Sequence, residues 1–183
     1  MDIPWPKEGD KVFEGGGRAT FMGTKWAGPR ELGIMADGYK TASDILVAHL
    51  TQHGRNDSLV YPILFGYRQY LELRIKALTV ILNQCEYSAE TWERIHELDK
   101  LWNPIRGRLW DNLEEDDRVP FQIVETTIAE FQLRDSKSEK LRFPSDIKQF
   151  NVDLLNMREV MNRVATFLDS LSDWWHAELD AMP

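Results

Sequence analysis

The sequence predicts an all-α protein: an up-and-down helical bundle with a small β-hairpin insertion and an irregular Gly/Pro-rich N-terminal arm. Three observations lead there. Leu154, Met157, Met161, Val164, Leu168, Leu171 and Trp175 recur in alternating steps of three and four, the period of one apolar helix seam. Residues 60–82 are apolar at most positions, as in a helix covered on most sides. By contrast, Pro4, Pro6, Gly15, Gly16, Gly17, Gly23, Gly28, Pro29 and Gly33 crowd residues 1–36, a density that forbids a long regular element there.

The 183 residues suit one domain with a proper core, and a 43% hydrophobic content excludes wholesale disorder. Seven Trp, eight Phe and five Tyr place much of the buried area on aromatic rings. The formal charge of −8 gives no general attraction to polyanions, so any phosphate contact would rest on a local cationic cluster. Cys85 is the only cysteine, which excludes intramolecular disulfides and multi-thiolate zinc sites. The opening residues MDIPWPKEGD lack the pattern of a secretory signal, and no apolar run approaches the ~20 residues of a membrane span. A soluble cytoplasmic protein is expected.

Residues 1–36 form the arm, and Trp5, Phe13, Phe21 and Trp26 are expected to dock on the helical body or on a partner. The bundle domain takes residues 37–183. Its first helix places Tyr39, Ala42, Ile45, Leu46, His49 and Leu50 at helical spacing, with Gly54 as a stop. Asn56, Asp57 and Ser58 can cap a second helix over roughly 59–83, with Pro62 tolerated in its first turn. Ser88 reads as the cap of a third, with Glu90 in its first turn and Trp92, Ile95, Leu98, Leu101 and Trp102 along one side. Asn103-Pro104 ends that helix and starts a short one through Trp110. EEDD (114–117) reads as a solvated loop, and a helix after Pro120 carries Phe121, Val124, Ile128 and Phe131. FQLRDSKSEKLRFPSD (131–146) has a turn cluster between two alternating pieces, the pattern of a hairpin. Asn151 or Asp153 caps the last helix, whose seam serves either bundle packing or a homodimer interface, the former being its commoner use.

Most motifs have plain structural explanations. HLTQH (49–53) spaces His49 and His53 as zinc ligands, but Leu50 stands where HExxH needs Glu and no third ligand is evident. EGGGR (14–18) lacks the GxxxxGK[ST] pattern of a phosphate loop. No GxSxG elbow is present, and Cys85 has no base cued beside it. No metal or other cofactor is therefore predicted. Two features remain. Arg68, Glu72 and Lys76 follow one another at four-residue steps within an otherwise apolar helix, where Glu72 can pair with both cations. His96, on a helix flank four residues after Trp92 and four before Lys100, is either a hydrogen-bonding residue at the core edge or a general acid/base.

YPILFGYRQYLELRIKAL, then HELDKLW, then FQLRDSKSEKLRFPSD ahead of a long final helix resembles the HEPN-like superfamily, in particular a group of bacterial all-helical proteins. The resemblance covers roughly residues 37–175. It implies an all-α bundle that often dimerises and that either cuts RNA without a metal, in toxin–antitoxin and phage-defence systems, or only binds nucleotides or partners. Arg68, Glu72 and Lys76 match the family's YR-x-x-x-E-x-x-x-K pattern, His96 its H-x-L-x-x-LW pattern, and Arg142 and Asp146 its FRYP-x-D-like segment. The ribonuclease members carry His four to six residues after Arg, and none of His49, His53, His96 and His176 stands so.

The expected function is thus a binding module for a nucleotide, RNA or protein partner, with Tyr67, Lys76, Arg142 and Asp146 as ligand contacts. One alternative is a metal-independent RNA endonuclease with His96 as base, Glu72 beside it and Arg68 or Arg142 on the phosphate. The other is a homodimeric scaffold joined through the C-terminal helix. No membrane partner is expected.

Overall fold

In the computed structural model, residues 28–54, 56–86, 94–110, 113–142 and 150–182 are described. Gly28 and Pro29, read as breakers, in fact start the first helix, α1 (Pro29–His53): Gly28 is its extended N-cap and Pro29 its first residue, where a missing N–H costs nothing. The arm therefore ends before residue 36, since Leu32, Gly33 and Ala36 are already buried helix residues. The arm's four aromatics and EGGGR lie outside the described residues. Gly54 closes α1 with φ 90, a left-handed value that glycine adopts without a Cβ penalty.

A short 3-10 turn, Asp57–Leu59, leads into α2 (Val60–Glu86), and Asn56 caps it by accepting from the Ser58 N–H. α2 is the central element. Helix α1 pairs with it along much of its length, and α3 (Leu98–Trp110) and α5 (Leu154–Asp180) cover its other sides. α4 (Arg118–Arg134) closes the bundle against α3 and α5. The α1–α2 approach is tight at Gly66, where a Cβ would come within 2.1 Å of Ser43 Oγ.

The core runs from Ile63, Leu71, Ile75 and Leu78 of α2 to Leu98, Leu101 and Ile105 of α3, Val124 and Ile128 of α4, and Met161, Val164 and Leu168 of α5. Phe121 is an aromatic hub whose ring meets Trp102, Trp110 and Phe167. The α5 seam is spent inside this core, with Met161, Val164, Leu168, Leu171 and Trp175 all buried, so these residues do not form an exposed homodimer face. Asp153 caps α5 through a bond from the Asn156 N–H. Among the described residues no helix is long and apolar enough to cross a membrane.

Three expectations are corrected. The third helix begins at Leu98: Ile95, His96 and Glu97 are not helical, and Ser88, Glu90 and Trp92 lie outside the described residues. It also continues through Pro104 to Trp110. The carbonyl that Pro104 leaves without its helical partner belongs to the exposed Lys100. Finally, there is no strand among the described residues, and hence no hairpin in the described part of 131–146. Helix α4 runs to Arg134, and Asp135–Arg142 is a turn in which the Asp135 carboxylate takes the backbone N–H groups of Glu139, Lys140 and Leu141. EEDD contributes a second 3-10 turn, Glu115–Asp117, on the surface.

Candidate functional site

Arg68, Glu72 and Lys76 lie one turn apart on α2, the spacing that stacks side chains on one helix face. The 94–97 segment and the turn after α4 both meet that face through Arg68. Its side chain is 0% exposed, and all three guanidinium nitrogens are engaged. Nη1 donates to Glu72 Oε2 at 2.7 Å, Nη2 to the His96 carbonyl at 2.5 Å, and Nε to the Asp135 carbonyl at 2.9 Å. The Asp135 carboxylate stands 3.7 Å from the same Nε. Lys76, also buried, donates to Glu72 Oε1 at 2.9 Å. Two cations and two carboxylates thus share one buried row and balance in charge.

Burial alone pushes the Glu72 carboxyl up. Hydrogen bonds and charge from Lys76, and then bonds from His96 and Arg68, outweigh it and hold the group below the ordinary carboxylate range. Glu72 is therefore ionised at neutral pH and acts as the anchor of the row.

His96 is the row's outlet to solvent, its side chain 55% exposed. It is nevertheless fixed at two points: Arg68 holds its carbonyl and Glu72 Oε1 lies 2.9 Å from its Nδ1. An ionised carboxylate only accepts, so Nδ1 carries the proton and the neutral ring keeps its lone pair on Nε2. That is the tautomer an outward-facing base needs.

Sequence reasoning missed Asp135. Its Oδ1 accepts from the N–H groups of Glu139 at 2.7 Å and Lys140 at 3.1 Å, and Oδ2 from that of Leu141 at 3.3 Å. Gln69 of α2 pins the same turn by donating to Ser138 Oγ at 2.6 Å. Ser138 itself is left-handed at φ 59, an unfavourable backbone for a residue other than glycine that the surrounding bonds hold in place. The available signal was the Asp-Ser-Lys-Ser turn chemistry, which points to a carboxylate bonding the backbone ahead of it.

The other sequence candidates are dispersed. Arg142 is exposed at the end of the turn, its Nε donating to the Ser138 carbonyl at 2.6 Å and its guanidinium 5.9 Å from the Phe65 ring. Phe65 precedes Arg68 by three residues, so Arg142 sits over the same α2 stripe. Tyr67 is buried on another side of α2, donating to Asp44 Oδ1 at 2.7 Å, and burial followed by that bond pushes its phenol up. Asp146 lies outside the described residues. His49 and His53 stack with ring centres 4.4 Å apart, and the described residues hold no group of three His, Cys, Asp or Glu arranged for a metal ion.

Two cavities lie away from this row. The larger, about 740 Å³, is lined by Val47, Leu50, Val60, Tyr61 and Leu64 on one side and the Phe150–Leu155 segment on the other. A neighbouring one of about 210 Å³ shares Leu64, Leu141 and Phe150. Comparison of the chain with protein-family models, with curated proteins and with solved structures returns no match.

Proposed function

We propose that the chain is a HEPN-like helical module of a bacterial defence or toxin–antitoxin system, and that it binds RNA or a nucleotide on the face where His96 and Arg142 emerge. The supporting observation is the double anchoring of His96. An exposed histidine without a task has no need of a buried carboxylate on its ring and a buried guanidinium on its carbonyl, whereas a contact group gains from being set in advance. The buried cations Arg68 and Lys76 serve as framework, since both are committed to Glu72. Arg142 is the cation of the set with solvent access, and it supplies the phosphate contact.

The test is thermal melting of the intact chain with mononucleotides and short RNA strands. A ligand at 100 times its Kd adds about 2.7 kcal/mol of stability. That gain is expected for the wild type and is lost in His96→Ala and Arg142→Ala, which by themselves melt close to the wild type. A melting point indifferent to every nucleotide and RNA at millimolar concentration refutes the reading.

A second reading, a metal-independent RNA endonuclease, is favoured by the His96 tautomer. Nε2 could take the proton of a 2′-hydroxyl while Arg142, the solvent-accessible one of the two candidate arginines, stabilises the phosphate. Incubation with total RNA in EDTA separates the two readings. Discrete fragments that vanish in His96→Ala make it a nuclease, and intact RNA leaves the binding module.

A further inference from the structure

The turn after α4 reaches both groups of the proposed site. On one side, the Asp135 carbonyl and carboxylate flank Arg68 Nε at 2.9 and 3.7 Å, and the same guanidinium grips the His96 carbonyl at 2.5 Å. On the other, the Asp135 carboxylate binds the N–H groups of Glu139, Lys140 and Leu141, the three residues immediately before Arg142. Arg142 closes the turn with its own N–H on the Glu139 carbonyl at 3.1 Å and its Nε on the Ser138 carbonyl. The Asp135 side chain is fully buried, so it does not meet a ligand itself.

We propose that Asp135 is a positioning residue: its buried carboxylate holds the turn, the turn presents the Asp135 carbonyl to Arg68 and so sets His96, and the same turn sets Arg142, at a fixed separation along α2. This rests on the reading of the His96 face as the functional site. Its physical content is independent of any ligand. Arg68 can hold the His96 carbonyl only while its fork is oriented, and a guanidinium with a planar fork is oriented by what stands on its other edge. Glu72 fixes one edge and Asp135 the other. Removing the Asp135 carboxylate frees the turn, so that the Asp135 carbonyl is no longer held against Arg68 Nε; the guanidinium then rotates toward Glu72 and draws that carboxylate away from the imidazole.

The experiment is long-range ¹H–¹⁵N correlation of the histidine rings in the full-length, uniformly ¹⁵N-labelled chain at a pH where they are neutral. The wild type is expected to show His96 as the single Nδ1–H tautomer. In Asp135→Ala the pattern becomes a mixture of both tautomers, and the Arg142 side-chain resonance moves with it. Gln69→Ala unties the same turn from α2 while leaving Asp135, Arg68 and Glu72 intact, and it keeps the single tautomer. A folded Asp135→Ala protein with an unchanged His96 tautomer overturns the proposal, as does Gln69→Ala producing the same mixture. Should Asp135→Ala not fold, through-hydrogen-bond couplings in the wild type decide. Couplings from the Glu139 and Lys140 amides to the Asp135 carboxylate carbon, together with those from the Arg68 guanidinium to the Asp135 and His96 carbonyl carbons, support the relay, and the absence of either set overturns it. None of these spectra contains a ligand, so a failed binding or cleavage assay refutes the functional reading and leaves this result standing.

Discussion

Truncating Glu72 to alanine tests the buried row directly. Its carboxylate is 4% exposed and receives Arg68, Lys76 and His96 at 2.7, 2.9 and 2.9 Å. The variant leaves Arg68 and Lys76 buried, the first with two carbonyl acceptors and only the Asp135 carboxylate, at 3.7 Å, as counter-charge. Removing one partner of a buried ion pair costs about 3–5 kcal/mol, because the surviving charge has lost its solvation and found nothing in return. For a domain of this size each kcal/mol moves the melting point by about 2–4 °C, so a fall of about 6–20 °C is expected. The assay is urea unfolding followed by tryptophan fluorescence, at several pH values. Because the folded Glu72 carboxyl lies below its unfolded value of about 4.3, its contribution is complete above that value and is lost as pH falls through the folded one. The gap between wild type and variant should therefore be constant near neutrality and shrink in strong acid. Replacing Glu72 and Lys76 together, as Glu72→Leu with Lys76→Met, should recover part of the loss, since the stranded Lys76 charge goes and Arg68 keeps the Asp135 carboxylate beside it. A Glu72→Ala protein within about 1 kcal/mol of the wild type would refute the argument.

Three other outcomes are expected. Gly66→Ala should cost about 1–3 kcal/mol by driving a methyl into Ser43 Oγ, and much of that cost should disappear in a Ser43→Ala background, a coupling that a double-mutant cycle measures. Burial pushes the Asp169 carboxyl up despite the Arg74 guanidinium 2.7 Å away, so the ionised group opposes folding at pH 7 and the penalty is relieved as pH falls through its raised value. Asp169→Asn should be slightly more stable than wild type at pH 7, by under about 1 kcal/mol because the side chain is half exposed, with the difference vanishing in acid denaturation below pH ~4. Asp153→Ala, which removes the N-cap of α5, should lower the unfolding free energy by about 1 kcal/mol without changing the shape of the far-ultraviolet circular dichroism spectrum.

The residues that dictate structure locally were the legible ones. The period of Leu154 to Trp175, the Gly54 stop, the Asn56 cap and the Phe121–Phe131 spacing each state an element in their own neighbourhood, and each corresponds to what forms. The Arg68–Glu72–Lys76 row was legible for the same reason: three charges at helical spacing on a largely apolar helix can pair along one face, solvated or buried, and the packing of the neighbours buries it. What the sequence hid depends on distant partners. Gly28-Pro29 reads equally well as a breaker or as a helix start, and only the burial of Leu32 and Ala36 decides. The alternation around residues 131–142 suggested strands, but Asp135 takes the backbone donors that a strand pair would use. His96 was placed on a helix flank because nothing nearby shows that the helix begins after it.

That missing start has a consequence for how the chain opens and closes. The first N–H of α3, that of Leu98, is accepted by Gln132 Oε1 at 2.9 Å, thirty-four residues away on α4. A helix whose first N–H is satisfied by its neighbour gains that bond only once the neighbour has docked. Helices α3 and α4 should accordingly protect their amides from hydrogen exchange as one cooperative unit, and loosening α4 alone should release both together.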